Sequence, residues 1–268
     1  MPKGKWLDNS GSVVYNVDEM AIGRIIIIAG LDPTGGAGIS ADIRAAGAMD
    51  VVCGVAVTAV ALQTHDTGFS VESTREEIFR KNLEFCFAEP AYGVKIGMLG
   101  NLKNVEAVFG FLDGRNIPIV LDPIIASSSG MRLIDDAGLE FMAEKLFPIA
   151  SLITPNVPEC EKLTGKPIAT LSEAIAVGRE LFERFGAPIL LKGGHIAGNA
   201  TDYLIDSSGV AEFSGVRVDN NFRGTGCALS TLITAGLAMG KPLAIAIGDA
   251  KKLLAESITE STPPYLTF

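Results

Sequence analysis

Short runs of apolar and β-branched residues alternate with longer helical patterns along the chain from Ile25 onward. The first run, residues 25–29, predicts a buried strand, and residues 37–49 predict the helix that follows it. Five more strands are predicted at residues 51–62, 93–96, 117–121, 152–153 and 189–191. The other helices are predicted at residues 74–87, 104–112, 136–146, 159–163, 172–185, 228–239 and 243–254. Because strands alternate with helices, we expect an α/β fold with a mainly parallel sheet covered on both faces.

Two segments do not follow this alternation. Residues 203–206 and 210–218 read as strands of a hairpin, because two serines and a glycine lie between them. The first 20 residues are polar, carry both signs of charge and lack the apolar segment of a signal peptide. We therefore expect residues 1–20 to be a polar extension, flexible or packed at an edge, and residues 21–268 to form a single domain.

Composition excludes several classes of protein. Lys and Arg number 22 and Asp and Glu number 31, so the net charge of −9 argues against a general nucleic-acid binder. The longest apolar run, residues 25–31, is far shorter than the roughly 20 residues that span a bilayer. The 4 cysteines are widely spaced without a CxxC pair, and only 2 histidines accompany them, which argues against a zinc site or a disulfide framework. The expected class is a cytoplasmic enzyme with a small-molecule substrate.

Glycines follow the first predicted strand, where residues 29–38 read AGLDPTGGAG. In parallel sheets, ligands bind beyond the carboxyl ends of the strands, so these positions are candidates for a site. Glycine lets the backbone approach a ligand closely, and the next helix begins there. The segment is neither a Walker A loop nor a full GxGxxG motif. A tight turn that needs glycine for steric reasons is the alternative.

Polar side chains follow four of the later strands. Gln63 can hydrogen-bond a heterocycle through its amide, or it lies in a surface turn. Asp122, Asn156 and Glu159 follow neighbouring strands, and their oxygens suit Mg²⁺ beside substrate phosphates. Alternatively, Asp122 and Asn156 cap a helix or turn. Lys192 could reach a phosphate, or it is an exposed charge beside a glycine turn.

The segment RGTGCALS, residues 223–230, opens a helix rich in Ala and Leu. The backbone N–H groups of residues 224–227 would point at one spot with the helix dipole behind them, which predicts an anion hole. Cys227 at this helix N-terminus is expected to have a lowered pKa and to serve as a base or a nucleophile. A buried, inert cysteine is the alternative, and the flanking glycines favour the functional interpretation.

Six motifs in order resemble the hydroxymethylpyrimidine/phosphomethylpyrimidine kinases of thiamine biosynthesis, within the ribokinase-like superfamily. They are AGLDPTGGAGISAD (29–42), VKIGMLG (94–100), VLDP (120–123), ITPNVPE (153–159), LLKGGH (190–195) and GTGCALS (224–230). The resemblance covers about residues 25–254. It implies a three-layer α/β/α sandwich with a small β hairpin or flap, ATP as phosphoryl donor, Mg²⁺, and a homodimer.

The resemblance also implies roles at the matching positions. The aminopyrimidine would be held by Gly30, Asp32 and Gly36 of the first motif, by Met98 of the second, and by Gln63, which lies between these two motifs. Nucleotide phosphates would meet Lys192, with Asn156 beside it, and Mg²⁺ would be organised by Asp122 and Glu159, through water. The anion hole and the catalytic group would come from the α-helical motif: Gly224, Thr225, Gly226 and Cys227. Cys227 would be the base on the accepting hydroxyl, where many superfamily relatives carry Asp.

One residue departs from the family pattern. Arg223 stands where this family usually has His, and a guanidinium can contact nucleotide phosphate but cannot act as an acid or base near neutral pH. Two other functions stay open at this stage. A pyridoxal or pyridoxine kinase would use a similar pocket, and a non-catalytic sensor would bind the pyrimidine without converting it.

Overall fold

The computed structural model describes residues 5–7, 13–15, 23–64, 67–127, 130–193, 201–215 and 222–268. Its strands are β1 (Lys5–Leu7), β2 (Val13–Tyr15), β3 (Arg24–Leu31), β4 (Val52–Gln63), β5 (Gly68–Ser73), β6 (Gly93–Ile96), β7 (Ile119–Leu121), β8 (Leu152–Ile153), β9 (Ile189–Leu191), β10 (Asp202–Asp206) and β11 (Gly209–Phe213). Its α-helices are α1 (Gly38–Gly47), α2 (Glu76–Phe87), α3 (Leu102–Leu112), α4 (Asp136–Phe141), α5 (Val157–Thr164), α6 (Leu171–Phe185), α7 (Thr225–Ala238) and α8 (Leu243–Glu260).

A 9-stranded sheet has the order β11-β10-β9-β8-β7-β6-β3-β4-β5. The strands from β9 to β4 are parallel, as the sequence predicts. Antiparallel strands extend both edges, with β5 beside β4 and the hairpin β10–β11 beside β9. The predicted hairpin is therefore part of the sheet. Strands β1 and β2 pair with each other in a separate 2-stranded sheet.

The four isoleucines of β3 show why this strand lies inside the sheet. Ile25 and Ile27 pack in a cluster with residues of α1 and α7, whereas Ile26 and Ile28 pack among residues of α2 and α3. Side chains alternate between the two faces of a strand, and all four isoleucines are 0% exposed, so both faces are covered. Helices α1, α7 and α8 cover one face and α2–α6 the other.

Several boundaries differ from the sequence predictions. Strand β5 was not predicted, because as an edge strand it is largely exposed and lacks a continuous apolar run. The helix predicted at 136–146 is α-helical only to Phe141 and continues as a π-helical turn, Met142–Leu146, and a 3₁₀ turn, Phe147–Ile149. Strand β11 ends at Phe213, and residues 216–218 of the predicted strand lie outside the described residues.

Helix α7 begins at Thr225, three residues before its predicted start. Cys227 therefore lies in the first turn of the helix. Among the described residues, no helix combines the length and apolar character needed to cross a membrane.

We expect Ile27→Ala to lower the free energy of unfolding by about 3 kcal/mol, because the cavity it leaves lies between β3 and the helices on that face. The matched control is Ile43→Ala on α1, whose side chain is 47% exposed and whose loss should cost little. Urea denaturation of both variants measures the difference. Equal losses would contradict the placement of β3 in the core.

Candidate active site

A cavity of about 680 Å³ opens at the carboxyl edge of the parallel strands. Its walls come from residues that follow β3, β4, β6, β7, β8 and β9, together with the start of α7. All but one of the predicted site residues line it, namely Gly30, Asp32, Gln63, Met98, Asp122, Asn156, Glu159, Lys192, Arg223, Gly224, Thr225, Gly226 and Cys227. The exception is Gly36, which lies one layer behind the wall against Arg223. The two histidines, His65 and His195, lie outside the described residues.

One side of the cavity carries a buried group of alternating charges. The Lys192 Nζ atom donates a hydrogen bond of 2.7 Å to Asp122 Oδ1, and Thr154 Oγ1 donates to the same oxygen at 3.2 Å. Burial alone would lower the pKa of Lys192, but the negative charges of Asp122 and Glu159 raise it above its usual value. Lys192 is therefore a permanent cation on the cavity wall, and the interpretation as an exposed surface charge is wrong.

Asn156 caps helix α5, so the capping alternative for this residue is correct. Its side chain accepts from the backbone N–H of Glu159 at 2.9 Å, and Glu159 Oε2 accepts from the backbone N–H of Asn156 at 2.8 Å. Burial raises the pKa of Glu159 to about 7; the charge of Lys192 opposes this shift, and that of Asp122 adds to it. The reciprocal cap therefore fixes the Glu159 carboxylate in the cavity wall.

The start of α7 faces the Lys192–Asp122 pair. A side-chain Cβ at Gly226 would lie 3.3 Å from Lys192 Nζ and 3.8 Å from Asp122 Oδ2, so glycine leaves this approach open. Gly224 has a φ of 72°, and a Cβ there would lie 2.4 Å from the Gly36 carbonyl oxygen. These two glycines let the helix N-terminus, with its unpaired N–H groups, open directly onto the cation.

Cys227 is buried, and the expectation of a lowered pKa for its thiol is wrong. Burial raises the pKa of its thiol to about 11; the charge of Lys95 opposes this, and those of Asp42 and Asp122 add to it. The Gly38 backbone N–H donates to the sulfur and favours the thiolate. The helix N-terminus was expected to dominate, but loss of water outweighs it here.

The opposite side of the cavity is apolar with a few polar groups. The end of the Met98 side chain lies over Gly30, where a Cβ would be only 2.5 Å from Met98 Cε. Asp32 Oδ1 accepts from the backbone N–H of Thr34 at 3.0 Å and from its hydroxyl at 2.8 Å. Gln63 ends β4 beside this group. A largely apolar wall with a few polar groups suits a heteroaromatic ring.

Sequence reasoning missed a second buried ion pair below the cavity. Lys95 Nζ donates to both carboxylate oxygens of Asp42, at 2.9 and 2.8 Å, and Thr231 Oγ1 donates to Asp42 Oδ1 at 2.8 Å. Lys95 also lines the cavity. Two sequence signals could have revealed this ion pair: Lys95 lies within an apolar strand, and Asp42 lies within an Ala-rich helix. Neither charge can be buried without a partner, so each should have suggested the other.

Comparisons with known proteins show the family to which this chain belongs. The family model described as phosphomethylpyrimidine kinase matches residues 32–265. The hydroxymethylpyrimidine/phosphomethylpyrimidine kinase of Aquifex aeolicus is 37% identical over 238 residues, which cover 87% of this chain and 93% of that protein.

Two solved structures share the fold. The phosphomethylpyrimidine kinase of Clostridium difficile has a TM-score of 0.77 and 32% identity, covering 88% of this chain and 99% of that one. The pyridoxal kinase of Staphylococcus aureus in complex with AMP-PCP has a TM-score of 0.82 and 25% identity, covering 90% of this chain and 89% of that one. The fold is that of the ribokinase-like kinases, and this chain belongs to the phosphomethylpyrimidine kinase family.

Proposed function

We propose that this enzyme transfers the γ-phosphoryl group of ATP to 4-amino-5-hydroxymethyl-2-methylpyrimidine and then to its monophosphate, in thiamine biosynthesis. The observation that carries the proposal is that one cavity joins an open helix N-terminus and a buried lysine to a wall that combines the apolar Met98 side chain with the polar groups of Asp32 and Gln63. Phosphoryl transfer needs an anion site and an acceptor site in line with each other, and little covalent chemistry from the protein. Family membership supports this substrate class.

The donor phosphates occupy the side formed by Lys192 and the start of α7. The ammonium group neutralises phosphate charge, and the N–H groups of residues 224–227 stabilise the charge that develops on the transferred group. The AMP-PCP complex of the related pyridoxal kinase supports ATP as donor. We assign Asn156 to this side as a neighbour of Lys192, because their backbones pair in a short β-bridge.

Asp122 and Glu159 are the residues that would hold Mg²⁺. Within the described part of the chain, no group of three or more His, Cys, Asp or Glu side chains gathers as a metal centre. Two buried carboxylates beside a phosphate site nevertheless fit Mg²⁺, which takes its remaining oxygen ligands from water and substrate phosphates. The ion would neutralise charge on the phosphates.

The acceptor heterocycle lies against the wall formed by Gly30 and the Met98 side chain packed on it, with Asp32 and Gln63 at its margin. Asp32 Oδ2 offers an acceptor, and the Gln63 amide offers both a donor and an acceptor. Gly36 supports this side from behind, through its packing against Arg223.

Cys227 is the base for the accepting hydroxyl. Burial raises the pKa of its thiol to about 11, whereas the charge of Lys95 and the Gly38 N–H group favour the thiolate, so most of the thiol keeps its proton near neutral pH. A base whose pKa lies well above the working pH makes the rate depend on the small deprotonated fraction.

A pyridoxal kinase is the second candidate, because a pyridine with a hydroxymethyl arm resembles the pyrimidine in shape and the pyridoxal kinase of Staphylococcus aureus shares the fold. A sensor that binds without converting the pyrimidine is the third. The cytoplasmic location and the homodimer stay predictions.

The proposal is tested by measuring ADP release with Mg²⁺ and ATP, using hydroxymethylpyrimidine, its monophosphate and pyridoxal as acceptors. We expect turnover on both pyrimidines and weaker turnover on pyridoxal. Turnover on pyridoxal alone would establish the second candidate instead. Binding of the pyrimidine without turnover would establish the sensor.

We expect Cys227→Ala to lower kcat by about a hundredfold or more, the usual range for loss of a general base, while ATP binding is retained. The matched control is Cys86→Ala, which removes a buried thiol in α2 on the other face of the sheet and should keep full turnover.

Because the Cys227 thiol has a pKa of about 11, its deprotonated fraction grows as the pH rises toward that value. The kcat/KM of the unmodified enzyme should therefore increase by about tenfold per pH unit above pH 8. A flat profile together with normal turnover in Cys227→Ala would remove Cys227 from the chemistry.

A further inference from the structure

Arg223 connects three separate parts of the cavity wall. Its Nη1 atom donates to the carbonyl oxygen of Thr64 at 2.8 Å, directly after the end of β4. Its Nη2 atom lies 3.4 Å from Asp32 Oδ2, and its backbone N–H donates to the Pro264 carbonyl oxygen at 3.0 Å. The Arg223 side chain is only 14% exposed and Asp32 only 3%, so the contact between them is made largely out of solvent.

The glycine-rich loop between β3 and α1, which contains Gly36, leaves room for the Arg223 side chain. A Cβ on Gly36 would lie 3.3 Å from Arg223 Cβ and 3.4 Å from its Cδ, so the arginine stem packs directly on the loop backbone. The contacts fix the direction of the guanidinium toward Asp32 and the end of β4. Both of these belong to the side of the cavity that we assign to the acceptor.

Asp32 has one carboxylate oxygen with hydrogen-bond partners and one buried oxygen without any. Thr34 donates twice to Oδ1, whereas Oδ2 is the one buried side-chain polar atom without a hydrogen-bond partner among the residues that the structure describes. Arg223 approaches Oδ2 as an ion pair without forming a hydrogen bond to it. The carboxylate charge is thereby balanced while Oδ2 still lacks a donor, and a buried acceptor of this kind needs one.

We infer that Arg223 positions the acceptor substrate: it holds the Asp32 carboxylate and the main chain after Gln63 on either side of a heterocycle that donates an N–H hydrogen bond to Asp32 Oδ2. This inference rests on the proposed function and adds a residue that the family pattern does not supply, since His is usual at this position. A guanidinium suits the task because its donors are fixed in one plane and can address two acceptors at once. The ligand class is a neutral or cationic heteroaromatic ring with an amino group, because an anionic group would meet the carboxylate. The guanidinium thus acts on the acceptor side of the cavity, whereas the sequence analysis assigned Arg223 to the nucleotide phosphates.

The test compares Arg223→Ala, Arg223→Lys and the matched control Arg75→Ala, an exposed arginine at the start of α2. Calorimetry measures the Kd of hydroxymethylpyrimidine and, separately, that of AMP-PCP, and steady-state kinetics measures KM and kcat. We expect Arg223→Ala to raise the pyrimidine Kd and KM by about tenfold or more, the size expected for a charge-assisted contact. The AMP-PCP Kd and kcat should be unchanged, which also reports that the variant is folded.

Arg223→Lys should recover part of the loss, because an ammonium group can pair with Asp32 but cannot also hold the Thr64 carbonyl. Arg75→Ala should behave as the unmodified enzyme. Unchanged pyrimidine affinity in both Arg223 variants, or weaker AMP-PCP binding with normal pyrimidine binding, would overturn the inference. If Arg223→Ala does not fold, Arg223→Lys alone decides, since full pyrimidine affinity in that variant would also overturn it. Failure of the unmodified enzyme to bind the pyrimidine would instead refute the proposed function, and this inference with it.

Discussion

A buried ion pair between Lys95 and Asp42 holds together the three elements on which the site is built. Lys95 lies on β6 in the middle of the sheet, Asp42 lies on α1, and Thr231 on α7 donates to Asp42; all three side chains are 0% exposed. The glycine at position 97 makes the pair possible, because a Cβ there would lie 2.9 Å from Lys95 Nζ. Removing one partner of such a pair leaves an uncompensated buried charge, at a cost of about 3–5 kcal/mol. The position of α7 relative to the sheet edge, and hence of the proposed anion hole, depends on this contact.

Burial also sets the protonation of the groups in the cavity. The same loss of water raises the pKa of Glu159 to about 7 and that of Cys227 to about 11. The two lysines, Lys95 and Lys192, oppose these shifts. The cavity therefore carries fixed cations on the side that we propose for the donor phosphates, and burial keeps the Cys227 thiol protonated. Electrostatic preorganisation of this kind is what phosphoryl transfer requires of a protein.

The sequence predicts the parallel sheet and most of the cavity wall, because strand-forming runs and the polar residues after them are local patterns. It does not predict how the residues pair across the fold. Lys95 and Asp42 are 53 positions apart, and their contact depends on the packing of β6 against α1. The predicted direction of the Cys227 pKa shift was wrong, because the position of a residue in a helix can be read from the sequence, whereas its burial cannot. Arg223 was expected at the nucleotide, but its neighbours Asp32 and Thr64 come from distant segments that only the fold brings together.

The central claim is that one cavity holds the acceptor on the Asp32 side and the donor phosphates on the Lys192 side. A crystal structure of the enzyme with hydroxymethylpyrimidine, Mg²⁺ and AMP-PCP tests it most directly. The account predicts the pyrimidine against the wall formed by Gly30 and Met98, with its amino group at Asp32 Oδ2, and the γ-phosphate at the start of α7 beside Lys192. A pyrimidine bound outside this wall, or phosphates bound away from α7, would contradict the account.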